Sequence, residues 1–329
     1  MRVGLIYDLF EAYPWQAWEA PDADAENEPE ETVAALEAAL QTLGHTPIRV
    51  GSAHDLLRQL PHLRLDAAVN IAEGAHSRNR EGYVPTLLEM AGIPYLGSDA
   101  LTLSLSLDKA WTKDLAVAAG VPTPPYRCYA TADALDAADL PGAFPLFVKP
   151  RYEGAAKGLT AASKVATPEA LRTQVAHLTR TYRQDALVEP FIQGGGEFTV
   201  AVIGNDPPQV LPVLQRAVER ETGIGLHVLD RRTQPAGQWA YTLEAALTPP
   251  LEAELGRLAR RIYDKLQCRD FARIDFRADA TGQPWFLEIN PLPTFDPNGT
   301  FAILAELSGQ AYPDFLASVL KQGFERLKG

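Results

Sequence analysis

Cysteine is scarce in this chain: Cys128 and Cys268 are the only two in 329 residues, and no CxxC spacing occurs. That excludes a disulfide framework and a zinc ribbon, and it points to a reducing compartment. Positive charge is also short. Thirty Lys and Arg against 42 Asp and Glu leave a formal net charge of −12, which argues against nonspecific nucleic-acid binding and against attraction to anionic membranes. No stretch reads as a membrane span, and Met1-Arg2 runs into VGLIYDLF, too short and too quickly polar for a leader peptide. The expectation is a cytoplasmic protein with neither nucleic acid nor membrane as a partner. GxGxxG and the Walker spacing, the commonest nucleotide motifs, are absent. So is any recognisable Ser-His-Asp or Cys-His arrangement, the six histidines being scattered along the chain.

What is present centres on RDFARIDFRADATGQPWFLEINPLPTF, residues 269–295. Ala272–Asp279 and Gln283–Asn290 are strand-like and flank the turn residues Ala280, Thr281 and Gly282, which predicts a β-hairpin. Side chains alternate along a strand, so Arg273 and Asp275 share one face, as do Glu288 and Asn290. Ile274, Phe276, Leu287 and Ile289 fall on the other. Oxygen ligands on a rigid sheet, without His or Cys, suit a hard cation such as Mg²⁺, which completes its shell with water and substrate phosphates. Alternating charge on a strand is more often a solvated face. Here Pro291-Leu292-Pro293 ends the strand at the carboxylates, and Arg273 stands beside them.

Upstream, Val3–Tyr7, Pro47–Val50 and Asp66–Ile71 read as strands between helices, one of which carries the stripe Val33, Leu36, Leu40 and Leu43. This βαβ alternation predicts an open parallel α/β unit. The acidic stretch 19–31 reads as a flexible surface loop. Beyond the third strand lie Glu73, Arg78, Arg80 and Glu81; ligands sit past the carboxyl ends of strands in such sheets, so this loop is a candidate substrate wall. Ser106–Ala119 reads as one helix, and Gly194-Gly195-Gly196 as a hinge. Arg151 to Gly158 is a small-residue loop after an apolar strand, with backbone N–H groups and a lysine suited to phosphate. A long polar stretch, 216–240, is of the length usually kept for function or disorder.

Leu107-Asp-Lys109, Phe147-Val-Lys-Pro150, Glu153-Gly154…Gly158, Val188-Glu-Pro-Phe191, Glu197-Phe-Thr199, Arg273-Ile-Asp275 and Leu287-Glu-Ile-Asn290 occur in the order seen in ATP-grasp ligases. The chain resembles the D-alanine–D-alanine ligase group of that superfamily over roughly residues 65–325. The resemblance implies an α/β fold, α+β in its ATP-binding half. It implies three domains: 1–104, open and parallel; 105–192, the central lid domain; and 193–329, with the metal site. It also implies ATP held by Lys109, Lys149, Glu189, Phe191 and Glu197, under a lid containing Glu153, Gly154, Ala155, Ala156 and Gly158. Mg²⁺, as two ions and replaceable by Mn²⁺, would sit on Asp275, Glu288 and Asn290, with Arg273 stabilising an oxyanion. The implied reaction activates a carboxylate as an acyl phosphate that an amine attacks, so the partners are a small carboxylate and a small amine. A homodimer is compatible with the pattern.

Both amino-acid pockets depart from the group. Tyr7-Asp-Leu-Phe-Glu-Ala-Tyr-Pro14 replaces its Gly-rich, Ser-Glu-containing segment, Ala155-Ala156 replace two serines, and Pro291 to Thr300 replace its Thr-Ser-Pro-Gly pattern. Residues 217–240 contain no lysine, which leaves Arg231 or Arg232 as the phosphate donor. Glu73, Arg78, Arg80, Asn298 and Thr300 are the remaining candidates for substrate recognition. The expectation is a ligase for a pair other than two D-alanines. The alternatives are a genuine D-alanine–D-alanine ligase and a catalytically weak nucleotide-binding regulator; a biotin-dependent carboxylase relative fits less well.

Overall fold

Three sheets stand in chain order in the computed structural model, which describes residues 1–218, 239–242 and 247–328. The first is built from β1 (Arg2–Ile6), β2 (Thr46–Gly51), β3 (Ala67–Asn70) and β4 (Tyr95–Leu96), in the order β2-β1-β3-β4 and parallel throughout. Its strands are short apolar runs because both faces are covered. Helix α1 (Glu30–Thr42) buries Val33, Leu36 and Leu40, while α2 (Ala53–Gln59) starts at a reciprocal Ser52–Asp55 capping box. Helices α3 (Tyr83–Met90), α4 (Ala100–Leu107) and α5 (Lys109–Ala118) lead to the second sheet. That sheet is antiparallel, in the order β5-β8-β6-β7, from β5 (Arg127–Tyr129), β6 (Leu146–Pro150), β7 (Lys164–Val165) and β8 (Ala186–Pro190), with α6 (Pro168–Tyr182) packed on it.

The third sheet holds β9 (Gly194–Ile203), β10 (Gln209–Val210), β11 (Leu214–Val218), β12 (Trp239–Thr242), β13 (Phe271–Asp279) and β14 (Pro284–Asn290), in the order β12-β11-β9-β13-β14 with β10 also on β9. Helix α7 (Pro249–Lys265) packs Leu255, Leu258 and Ile262 under it, and α8 (Thr300–Leu307) and α9 (Tyr312–Arg326) close the chain. One apolar cluster runs from Val3 and Leu36 of the first sheet's layer to Phe271, Phe295, Phe301 and Phe324. The first and third sheets therefore share a core, which holds the metal-type face of β13 and β14 against the loops of the first sheet.

Four local expectations change. The helix expected over Ser106–Ala119 is broken at Asp108, whose carboxylate caps α5 at Ala110 and Trp111 and pairs with Arg151 at 2.8 Å. A side chain that satisfies helix-start N–H groups ends the preceding helix by the same act. The three glycines are no hinge: they open β9, and a Cβ on Gly195 would lie 2.2 Å from the Asp279 carbonyl oxygen. Gly195→Ala should therefore destabilise by about 1–3 kcal/mol through overpacking against backbone; an unchanged urea midpoint would refute that. In the hairpin, Asp275 faces Glu288 but Phe276 faces Phe286, so Leu287 is bulged out of register and half-exposed rather than lying with Ile289 in the core. The acidic stretch is the fourth change. Asp22, Glu26, Asn27 and Glu28 are buried: Asp22 and Glu26 find partners far along the chain on the lid loop and the substrate wall, Glu28 accepts from Thr294, and Asn27 donates to the Leu9 carbonyl.

Candidate active site

The hairpin register sets the floor of a cleft. Arg273 stands opposite Asn290 and Asp275 opposite Glu288, so the two carboxylates, the amide and the guanidinium share one face. Thr199 of β9 donates to Asp275 Oδ1 at 2.7 Å, and Arg273 Nε donates to Asp275 Oδ2 at 3.1 Å. These bonds fix the Asp275 carboxylate before any ligand arrives. Lys109, at the start of α5, reaches Glu288 at 3.5 Å and also donates to the Glu153 carbonyl of the lid loop. Burial alone would raise the Glu288 carboxyl, but the cations of Lys109, Lys149 and Arg273 outweigh it and hold the group below its ordinary value. Asp275, Glu288 and Asn290 present oxygen only, the donor chemistry of a Mg²⁺ site. Among the described residues no group of three His, Cys, Asp or Glu side chains gathers as a metal cage, so such an ion would complete its shell from water and substrate.

Lys149 and Glu189, which the resemblance assigns to different parts of a nucleotide, pair with each other. Lys149 pairs with Glu189 at 2.7 Å, and the fully buried Lys113 pairs with the same carboxylate at 2.6 Å while donating to Thr123. Burial works against this carboxylate's charge, and the two ammonium groups override it, so Glu189 stays below its usual range. Burial also draws Lys113 down to about 8. Nearby, Phe191 stacks on Phe147, with Lys164 and Arg277 over its ring at 4.4 and 4.6 Å, and Glu197 pairs with Arg277 at 3.2 Å. Phe191 and Glu197 thus lie together at the junction of the second and third sheets.

The lid loop is held from across the molecule. Gly154 N–H donates to Glu26 Oε1 and Gly158 N–H to Asp22 Oδ2, at 2.5 and 2.9 Å. Lys157 pairs with Glu26 at 2.7 Å and Glu153 at 2.6 Å. Ala155 and Ala156 both adopt the left-handed conformation, φ 45° and 59°, which is uncommon for a residue with a Cβ. Arg80, expected to recognise substrate, is 4 % exposed and engaged: its Nη2 donates to both Glu26 oxygens at 2.7 and 2.9 Å, and its Nη1 to the Tyr152 carbonyl. Arg78 lies over the Trp111 and Tyr152 rings at 4.8 and 5.7 Å. Asn298 belongs to a turn closed on Asp296, and Thr300 is buried at the start of α8. Glu73 lines the cleft with Arg273, Glu288 and Lys109. Arg231 and Arg232 lie outside the described residues.

Asp22, Glu26, Glu28 and Lys113 are not marked by any sequence motif, whereas Glu81 lies on the loop expected as a substrate wall. Glu26, Glu28 and Glu81 line the same cleft, and Thr294, from the stretch after Asn290, donates to Glu28 at 2.9 Å. Lys113 sits four residues after Lys109, one helical turn on, and that spacing was the available signal. For the acidic strap no local signal exists.

The family model for the D-ala D-ala ligase C-terminus matches residues 115–321. An uncharacterized protein y4sG of Sinorhizobium fredii is 35% identical over 314 residues, covering 89% of this chain and 87% of its own length. A D-alanine–D-alanine ligase of Stutzerimonas stutzeri is 32% identical over 297 residues, covering 89% of this chain and 88% of its own. Among solved structures, the D-alanine–D-alanine ligase of Bacillus anthracis superposes with a TM-score of 0.77 at 21% identity over 100% of both chains. The VanG D-Ala:D-Ser ligase of Enterococcus faecalis gives 0.72 at 18% identity over 98% of each. With a parallel sheet leading into two antiparallel sheets, and a family model spanning most of the latter two, the chain belongs to the D-alanine–D-alanine ligase family of ATP-grasp proteins.

Proposed function

We propose that the chain is an ATP-dependent carboxylate–amine ligase that forms an amide through an acyl phosphate, releasing ADP and phosphate. The observation that carries this reading is the single face on which Arg273, Asp275, Glu288 and Asn290 meet, with Lys109 across from it. Phosphoryl transfer to a carboxylate is mainly positioning and charge neutralisation, and this face supplies both. Asp275, Glu288 and Asn290 hold Mg²⁺, as two ions, which neutralises phosphate charge when bound. Residues 1–104 carry the substrate wall, 105–192 the lid, and 193–329 the metal face. Lys109 and Lys149 meet the phosphates, Lys149 turning from Glu189 to do so. Phe191 and Glu197 contact the base and ribose, and the loop of Glu153, Gly154, Ala155, Ala156 and Gly158 covers the phosphates and excludes water. Arg273, bonded to Asp275 on the same face, would stabilise the oxyanion of the tetrahedral intermediate.

The substrates differ from two D-alanines. Support comes from the wall itself: Glu26 is engaged by Arg80, Lys157 and the lid, and Ala155 and Ala156 stand where the resemblance called for serines. The competing reading, a D-alanine–D-alanine ligase proper, takes its support from the relatives that bear that name. ADP release measured over a panel of amino-acid and small-acid pairs separates the two. Turnover should be highest with a pair other than D-alanine with itself; D-alanine alone giving the best rate would sink the altered-substrate reading.

A further inference from the structure

Glu189 is a buried carboxylate near the end of β8, and it sits between two ammonium groups of different origin. Lys149 belongs to the neighbouring strand: Phe147 stands opposite Glu189, and Lys149 follows two residues along β6, a diagonal cross-strand neighbour. It pairs with Glu189 Oε1 at 2.7 Å, and its charge also acts on Glu288 of the metal-type face. Lys113 comes from outside the sheet, on α5. It is fully buried, pairs with Glu189 Oε2 at 2.6 Å and donates to Thr123 Oγ1 at 2.7 Å. Thr123 in turn donates to the Phe286 carbonyl of β14 at 2.9 Å, which ties Lys113 to the sheet that carries Asp275 and Glu288. The cluster thus holds two positive charges against one negative. If Lys149 leaves, Lys113 and Glu189 remain as a balanced pair. Without Lys113, the departure of Lys149 would strand a buried carboxylate, and an uncompensated buried charge is strongly unfavourable.

We propose that Lys113 is a positioning residue for ATP: the fixed countercharge that holds Glu189 ionised and in place while Lys149 turns to the phosphates. This rests on the ATP-dependent reading above, in which Lys149 exchanges Glu189 for phosphate oxygens. Lys113 touches neither nucleotide nor substrate in this role and acts through the two residues it neighbours. Its hydroxyl anchor on Thr123 keeps it from following Lys149, so the two lysines divide the work. One stays to satisfy the buried carboxylate, and the other is released. The consequence is specific to the phosphate part of the nucleotide. Adenosine carries no phosphate, leaves Lys149 on Glu189 and asks nothing of Lys113. ATP draws Lys149 away, and only then does the countercharge of Lys113 decide whether Glu189 is left stranded.

Titration calorimetry with ATP plus Mg²⁺ and, separately, with adenosine tests this on the full chain without knowing the substrates. Lys113→Met keeps the side-chain length and removes the charge. Its affinity for ATP should fall by about 10–100-fold, while its affinity for adenosine stays within about threefold of wild type. Equal losses for both ligands would mean that Lys113 merely supports the fold, and an unchanged ATP affinity would mean that Lys149 needs no such partner; either overturns the proposal. Glu189→Gln supplies the second arm, because a neutral amide leaves no charge to strand. Lys113→Met added to Glu189→Gln should weaken ATP by no more than about threefold beyond Glu189→Gln alone. A further loss of about tenfold in that pair would overturn the proposal even if Lys113→Met by itself did not fold. A wild-type chain that binds ATP no more tightly than adenosine overturns the ATP-dependent reading instead.

Discussion

Glu26→Ala should lower the free energy of unfolding by about 3–5 kcal/mol, because it leaves two buried cations without their shared anion. Arg80 and Lys157 both pair with Glu26 at 2.7 Å, and the Gly154 N–H loses its acceptor with them. Glu153 remains as a partner, at 2.6 Å for Lys157 and 3.6 Å for Arg80, so the loss belongs at the lower end of that range. Urea unfolding at neutral pH measures it, and a loss below about 1 kcal/mol would mean the strap is a surface feature after all. The pH dependence has a fixed sign. Burial opposes ionisation of Glu26, but Arg80 and Lys157 override it and bring the carboxyl down to about 2. A carboxyl depressed on folding contributes stability that is complete above its unfolded value and lost as pH falls through the folded one. The gap between wild type and Glu26→Ala should therefore narrow as pH drops from about 4.5 towards 2.

Arg273→Ala should reduce kcat by about 10²–10³-fold while leaving the KM for ATP nearly unchanged. The reason is the position of the guanidinium: opposite Asn290, on the face of Asp275 and Glu288, lining the cleft floor rather than the Lys149–Glu189 region. A group that acts on charge developing in the transition state lowers kcat and kcat/KM together when removed. Arg273→Lys should recover only part of the rate, since an ammonium does not reproduce the planar donor fork. Steady-state ADP release with saturating ATP gives both parameters. A kcat within threefold of wild type, or a large rise in the KM for ATP alone, would move Arg273 from the reacting centre to nucleotide binding.

The hairpin was legible because everything that defines it is local. Period-2 alternation places Arg273 with Asp275 and Glu288 with Asn290, and the turn and Pro291 set both ends. Even there, alternation failed at Leu287, where one extra residue brings Phe286 opposite Phe276. The strap was misread for the opposite reason. Its contacts span 54 residues to Arg80, 128 to Gly154, 131 to Lys157 and 136 to Gly158. Nothing within a window of 13 residues distinguishes a solvated acidic run from one whose cations wait elsewhere.

By itself, then, the order of residues determined the family, the parallel and antiparallel sheets, and the oxygen-donor face, since each depends on short-range pattern and ordered motifs. Only the tertiary structure decided which charges meet. Glu189 lies between Lys113 and Lys149, Arg80 is committed to Glu26, and Lys109 reaches Glu288. Ion pairs form between side chains that folding makes neighbours, and in a low-dielectric cleft the partner sets the charge state. That pairing is a property of the packed core joining the first and third sheets, and no single segment contains it.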